Sequence, residues 1–304
     1  MAHVTMKEML DAGAHFGHQT QRWNPKMKPF VYTNRGGIHI IDLQKSVTKA
    51  KAAADFVKAT AARGKKIIFV GTKKQAEEAI KDAAAKTEQY YITKRWLGGT
   101  LTNFSTIKGR IDRMRRIDQM REKGEINFYS KKERIQIEKE YDKLNSFLEG
   151  IREMKELPGI MFVVDLNKEH IAVKEARRLG IPVVGIADTN TDPEEVEFPI
   201  PGNDDAIRSI RLFTNMVADS FLEGQKEWKE NVRKDKDTAE ETVQAAEASD
   251  SKQDAKGGPA VVKVNRGRKM VAAGTAENVE IEMELEEEIT DDSAASGKED
   301  SKDS

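Results

Sequence analysis

The chain is 304 residues long, holds no cysteine and carries a formal net charge of −1. Without thiols there can be no disulfide, thiolate nucleophile or cysteine-ligated zinc or iron–sulfur site, and the composition suits a reducing compartment. The near-neutral total hides a segregation: residues 1–155 carry 32 Lys+Arg against 18 Asp+Glu, a balance of +14, residues 156–225 carry 6 against 13, and residues 226–304 carry 13 against 21.

The start, "MAHVTMKEML", is amphipathic and lacks the long apolar core of a secretion signal, and no apolar run reaches the ~20 residues that span a bilayer. The expectation is a soluble, cytoplasmic protein with no membrane partner. The basic first half has the footprint of a polyanion binder, because clustered cations displace counterions from phosphates.

"AHFGHQTQRWNPKMKPFVYTNRGG" (14–37) reads as an irregular loop with two prolines and a Gly-Gly pair. It interleaves Arg22, Lys26, Lys28 and Arg35 with Trp23, Phe30 and Tyr32. Cations meet backbone phosphates, and exposed rings stack on unpaired bases; the alternative is that the rings anchor the loop. His15 and His18 lie three apart and are assigned to packing or RNA contact. "GIHIIDL" (37–43) reads as a strand, followed by a helix over 44–62.

"KKIIFVG" (65–71) is a buried-strand pattern, and a helix is expected over 72–86. The turn between them holds Gly71, Thr72, Lys73 and Lys74, where helix-start N–H groups would face an anion. Neither G-x-G-x-x-G nor a P-loop is present, so a nucleotide site has weak support and a nucleic-acid phosphate fits equally. "TKRWLGGTLTNF" (93–104) sets Lys94 and Arg95 beside Trp96, with Gly98-Gly99 for a sharp turn and Thr102 or Asn103 as the helix cap.

From Asn103 to Lys155 strand signals stop. Ile107, Ile111, Met114 and Ile117 form one stripe. Ile137, Tyr141, Leu144, Leu148 and Ile151 recur at steps of 4, 3, 4 and 3, a heptad seam. Two such stripes predict an antiparallel helical hairpin around a break at "KGEINFYS" (123–130). Its outer faces carry Lys108, Arg110, Arg113, Arg115, Arg116 and Arg121.

"GIMFVVD" (159–165) and "IPVVGIAD" (181–188) are further buried strands. The helix between them would be capped by Asn167 and stopped at Gly180. "FPIP" (198–201) is another strand, followed by a helix over 204–223. Strand–helix–strand at this spacing predicts a parallel sheet, hence a doubly wound α/β fold. Asp188, Asp192, Asp204 and Asp205 fall in loops at the carboxyl edge. They are read first as turn and N-cap residues and only second as cation ligands, so no metal is expected. His3, His15, His18, His39 and His170 are scattered, and no G-x-S-x-G, H-E-x-x-H or Walker loop is present, so no enzyme, cofactor or small-molecule substrate is expected. Beyond about Lys229 aromatics vanish and Asp, Glu, Ala, Ser and Lys dominate.

The segments "GAHFGHQTQRWNPKMKPFVYTNRGGIHIIDLQKS", "FVGTKKQA", "RWLGGTLTNF", "LPGIMFVVDLNKEHIAVKEARRLGIPVVGIADTNTDP" and "IPGNDDAIRSIRL" closely resemble the bacterial family of small-subunit ribosomal protein two, from about His3 to Gly224. The resemblance implies a flavodoxin-like α/β domain (1–102 and 156–228) with an inserted antiparallel coiled-coil hairpin (103–155). The acidic, mostly disordered tail (229–304) departs from the family core. The resemblance also implies a structural role: binding small-subunit ribosomal RNA and helping to dock the messenger-RNA-capturing ribosomal protein numbered one. The RNA-contact candidates are Arg22, Trp23, Lys26, Lys28, Arg35, Lys73, Lys74, Lys94, Arg95, Trp96, Lys108, Arg110 and Arg113. The alternative is an α/β enzyme that binds a nucleotide or sugar phosphate.

Overall fold

The computed structural model describes residues 4–250, with side chains as far as residue 234. The chain divides into two units, Met1–Val243 and Gln244–Ser304. Of the second unit only helical backbone to Asp250 is described.

The chain opens with α1 (Met6–Asp11), started by a Thr5/Glu8 capping box that satisfies two free N–H groups. Next come β1 (Phe16–Gln19), β2 (Val31–Arg35) and β3 (Ile38–Ile41), then the long helix α2 (Leu43–Ala61). The α/β alternation follows: β4 (Ile67–Val70), α3 (Glu77–Thr87) and β5 (Tyr90–Ile92). A helical pair, α4 (Phe104–Glu122) and α5 (Lys131–Leu148), interrupts it. The alternation resumes with β6 (Ile160–Val163), α6 (His170–Arg178), β7 (Val183–Ala187), β8 (Phe198–Pro201) and α7 (Ile207–Asp250).

The main sheet has the order β5-β4-β6-β7-β8, every pair parallel. Renumbered within the sheet this is 2-1-3-4-5, the flavodoxin-like order, with its switch point between β4 and β6. Side chains alternate across it. Ile67, Phe69, Ile160, Phe162, Val184 and Ile186 face one core, closed by Val57 of α2, Ile80 of α3 and Phe213, Val217 and Phe221 of α7. Ile68, Val70, Met161, Val163 and Val183 face the other, closed by Ile107 and Ile111 of α4, Leu148 of α5 and Val173 of α6. Burial on both faces is why these strands read as unbroken apolar runs rather than as alternating ones. Each such side chain taken from water contributes about 1.5–3 kcal/mol.

Four sequence expectations change. Residues 14–37 are not irregular: β1, β3 and β2 form a small antiparallel sheet in that order. Gly36 and Gly37 both have positive φ (59° and 77°) and join Arg35 to its partner Ile38 as a two-residue hairpin turn, so "RGG" was a hairpin signal. The helix after β4 starts at Glu77, not Thr72, because residues 73–76 form a turn. The helix after β6 starts at His170; Asp165, not Asn167, accepts from a backbone N–H there, that of Lys168 at 2.9 Å. Its stop is as expected, with Gly180 at φ +68°.

The fourth change is at the last helix. It runs past residue 229 to Asp250, and the ring of Trp228, just before that point, packs where a Cβ on Gly64 would sit. Residues 251–304, which hold the rest of the expected tail, lie outside the described residues.

In the helical pair Ile107, Ile111, Met114, Ile117 and Met120 are buried. On the facing helix Ile137, Tyr141 and Leu144 are only half-buried, while Leu148 and Ile151 are fully covered. The seam is therefore tightest where the pair joins the sheet.

Candidate nucleic-acid interface

The segment from Thr93 to Asn103 is organised by one acid that sequence reasoning missed. Glu175 of α6 is buried and collects five donors. They are Trp96 Nε1 at 3.2 Å, Gly99 N at 2.7 Å, Leu101 N at 3.0 Å, Thr102 N at 3.1 Å and Thr102 Oγ1 at 3.2 Å. Burial pushes its carboxyl up, but these hydrogen bonds outweigh it and hold the group below the usual carboxylate range. Trp96 is thus a buried anchor, 5% exposed, and not a platform for base stacking. Neither Thr102 nor Asn103 caps α4 through its side chain; Thr102 donates to Glu175 instead. The usable sequence signal was the helix-facing period of α6, which puts an acid among Ala172, Val173 and Ala176.

The cations sort into two groups by what they touch. Arg22, Lys28, Arg35, Lys74, Arg95, Lys108 and Arg110 are exposed, and none has an ion pair within 4.0 Å among the described residues. The others are engaged. Lys26 sits 2.7 Å from Asp192 and 2.6 Å from Glu194, carboxylates that hold its ammonium above the usual lysine range. Lys94 pairs with Glu77 at 2.9 Å. Arg113 forks onto Glu140, Nε at 3.1 Å and Nη2 at 2.9 Å. These three pairs lie at the surface, where exchange of one carboxylate for a phosphate costs little. Trp23 is 37% exposed with its ring 5.0 Å from that of His39, and Tyr32 is 76% exposed. Phe30 packs against the core as an anchor. Between α4 and α5 lies a cleft of ≈ 460 Å³ with Arg110, Arg113 and Lys143 beside Leu97, Leu144 and Phe147.

Lys73 behaves differently. Its ammonium points into the carboxyl edge of the sheet, 2.9 Å from Asp165, 2.8 Å from Asp204 and 2.8 Å from Asp205. Burial opposes its charge, yet the three carboxylates more than offset this and raise it above the ordinary lysine value. The neighbouring turn is filled as well: Thr72 donates through N (3.2 Å) and Oγ1 to Glu169. The place where a bound phosphate was expected already carries the protein's own anions.

The same edge gathers more. Asp165, Asp188 and Asp204 follow β6, β7 and β8, and His18 of β1 leans over them. His18 Nδ1 is 3.0 Å from Asp188 Oδ2, and Nε2 is 3.4 Å from Asp205 Oδ2. The Asp188 hydrogen bond holds the imidazole above its ordinary value, against the effect of burial. Burial, Asp188 and Asp165 push Asp204 up to about 8, against the pull of Lys73. The expected turn at Asp192 is present, accepting from Glu194 N at 3.0 Å. The residues before α7 differ from expectation: Asn203 alone accepts, from Asp205 N at 2.8 Å and Ala206 N at 3.1 Å, while Asp204 turns inward.

Fold and edge define a doubly wound α/β protein whose ligand crevice is closed by its own side chains, with uncommitted cations on its surface. The family described as "Ribosomal protein S2" matches residues 9–224. The "Small ribosomal subunit protein uS2" of Bdellovibrio bacteriovorus is 63% identical over 313 residues, covering 97% of this chain and 100% of the relative. The chain belongs to the ribosomal protein S2 family, whose members are ribosomal proteins and not enzymes.

Proposed function

We propose that this protein is a structural component of the small ribosomal subunit, cytoplasmic, that binds ribosomal RNA and helps seat a neighbouring ribosomal protein. The observation that carries the reading is the near full-length likeness to a small-subunit protein. The exposed, uncommitted cations support it. Arg22 and Lys28 in the helical turns between β1 and β2, Arg35 at the end of β2, Lys74 and Arg95 at the sheet edge, and Lys108 and Arg110 on α4 are the backbone-phosphate contacts. Trp23, directly after Arg22 in the same connection, stacks on an unpaired base. Lys26, Lys94 and Arg113 join them by exchanging a surface carboxylate for phosphate. Lys73 and Trp96 are positioning residues for the fold and not RNA contacts. The helical pair α4/α5 is an antiparallel coiled-coil hairpin whose heptad seam stiffens it as an arm. The neighbour it helps to dock is the messenger-RNA-capturing protein of the same subunit.

The test is sedimentation of the untagged protein from lysate at low magnesium, where subunits separate, with and without ribonuclease. Co-migration with the small subunit that ribonuclease abolishes is expected. Migration as a free protein in both samples overturns the reading.

A further inference from the structure

We propose that the outer face of α6, together with Lys168 just before it, is a surface that grips the phosphate backbone of double-helical RNA. It is separate from the contacts assigned above and rests on the same ribosomal reading.

The residues are Lys168, Lys174, Arg177 and Arg178, four of the 6 Lys+Arg between residues 156 and 225. Formal charge conceals them, because that stretch also carries 13 Asp+Glu and counts as acidic. Burial reverses the count on this helix. Glu169 is 3% exposed and accepts from Thr72 N at 3.2 Å and from Thr72 Oγ1. Glu175 is 8% exposed and is taken up by the loop of residues 93–103. The four cations are exposed, and none has an ion pair within 4.0 Å among the described residues. Acids of the adjoining segment are occupied as well. Asp192, whose carboxylate feels Arg177, is held by Lys26 at 2.7 Å, and Glu197 accepts from Val183 N at 2.8 Å.

Successive residues of a helix are turned by about 100°. His170, Ile171, Lys174, Arg177 and Arg178 therefore share one arc of about 120°, opposite Ala172, Val173 and Ala176, which pack in the core. Helix stability does not account for the set. Cations at a helix C-terminus complement its dipole, which covers Arg177 and Arg178. Lys174 is mid-helix, and Lys168 stands before the N-terminus, where the dipole disfavours positive charge.

The kind of partner follows from what else the face carries. Residues 167–180 contain no Phe, Tyr or Trp. Unpaired bases are held by stacking on rings, whereas an A-form duplex is recognised by its shape and by phosphate and 2′-hydroxyl contacts. The connection between β1 and β2, with Trp23 and Tyr32, is the ring-bearing surface, and α6 is the ringless one. Ile171 and Leu179 are the only large apolar side chains exposed on this segment, too little apolar surface for a protein-docking patch. Glu175 fastens the loop that carries the exposed Arg95 onto α6, so that cation extends the strip.

The experiment titrates full-length protein into a fluorescently labelled RNA duplex of about 16 base pairs, and into a single strand of the same length, across a range of salt. Combining Lys174→Ala, Arg177→Ala and Arg178→Ala should weaken duplex binding at least ~10-fold and lower the slope of log affinity against log salt by about 2–3 units, with single-strand binding unchanged. Trp23→Ala should do the reverse, weakening the single strand alone. Folding is checked by circular dichroism; should the triple variant melt early, Lys174→Ala alone, away from the helix end, should still take about one unit from the slope. Unchanged duplex affinity and slope in the folded variants overturns this surface while leaving the ribosomal reading, which sedimentation tests separately. Equal loss on duplex and single strand overturns the assignment to double-helical RNA. Loss of subunit association with RNA binding intact overturns it in favour of a protein contact.

Discussion

At the scale of single residues, position relative to carboxylates separates cations that look alike in sequence. Lys73 and Arg95 both sit in basic turns of the α/β domain, yet one is enclosed by three acids and the other is exposed, with no ion pair among the described residues. Lys73→Met should cost about 3–5 kcal/mol in urea denaturation, because it leaves buried carboxylates uncompensated, and should leave the salt slope of RNA association unaltered. Arg95→Ala should do the reverse, with stability held and the slope reduced by about one unit. Glu175 is the other decisive residue. Glu175→Gln exchanges a charged acceptor for an amide whose NH₂ meets the loop's donors, at a cost on the order of 1–3 kcal/mol. Its folded pKa lies below the unfolded value, so the stability it contributes is present above the unfolded value near ~4.3 and fades as pH falls through the folded one. The difference in stability between parent and Glu175→Gln should therefore shrink below about pH 4, read from denaturation midpoints across pH.

At the scale of elements, two glycines of the helical pair make opposite predictions. Gly150 follows α5 where the chain turns back to the sheet, and a Cβ there would stand 2.1 Å from the carbonyl oxygen of Tyr91. Gly150→Ala has to push this turn off β5, so a loss of about 1–3 kcal/mol is expected. Gly109 sits mid-helix in α4, exposed, with nothing within 4 Å of where an added methyl would stand. Gly109→Ala should raise stability by about 0.5–1 kcal/mol, because glycine loses the most backbone freedom in a helix. Thermal melts of both variants check the pair. A result with the two signs exchanged would mean that the turn after α5 does not pack on β5.

At the scale of the whole molecule, the segregated charge turns a nearly neutral chain into a surface with exposed cations on three different elements. Removing Arg22, Lys28 and Arg35 together should lower the slope of log affinity against log salt by about 2–3 units and weaken subunit association, with no change in melting temperature. Loss of stability in that variant would mean that these side chains hold the small sheet together instead.

The sequence determined the parallel sheet, because strands buried on both faces must be continuous apolar runs, and β4, β6, β7 and β8 are legible as such. It also determined the charge segregation and the helical insertion, both of which are local properties. β5 was not legible, because three residues, Tyr90–Ile92, carry too little pattern, and β1 and β2 were masked by prolines and polar residues. Tertiary structure alone decided which acids meet which cations. Asp165, Asp188 and Asp204 are separated in the chain and converge only because parallel strands deliver their carboxyl ends to one edge. Long-range pairing also decided that Lys73 is enclosed while Lys74, its neighbour, is exposed, and that Trp96 is an anchor held by Glu175, 79 residues away. Ionic and hydrogen-bonding partners far apart in sequence leave no periodic trace, so residue type names the candidates and the fold assigns their work.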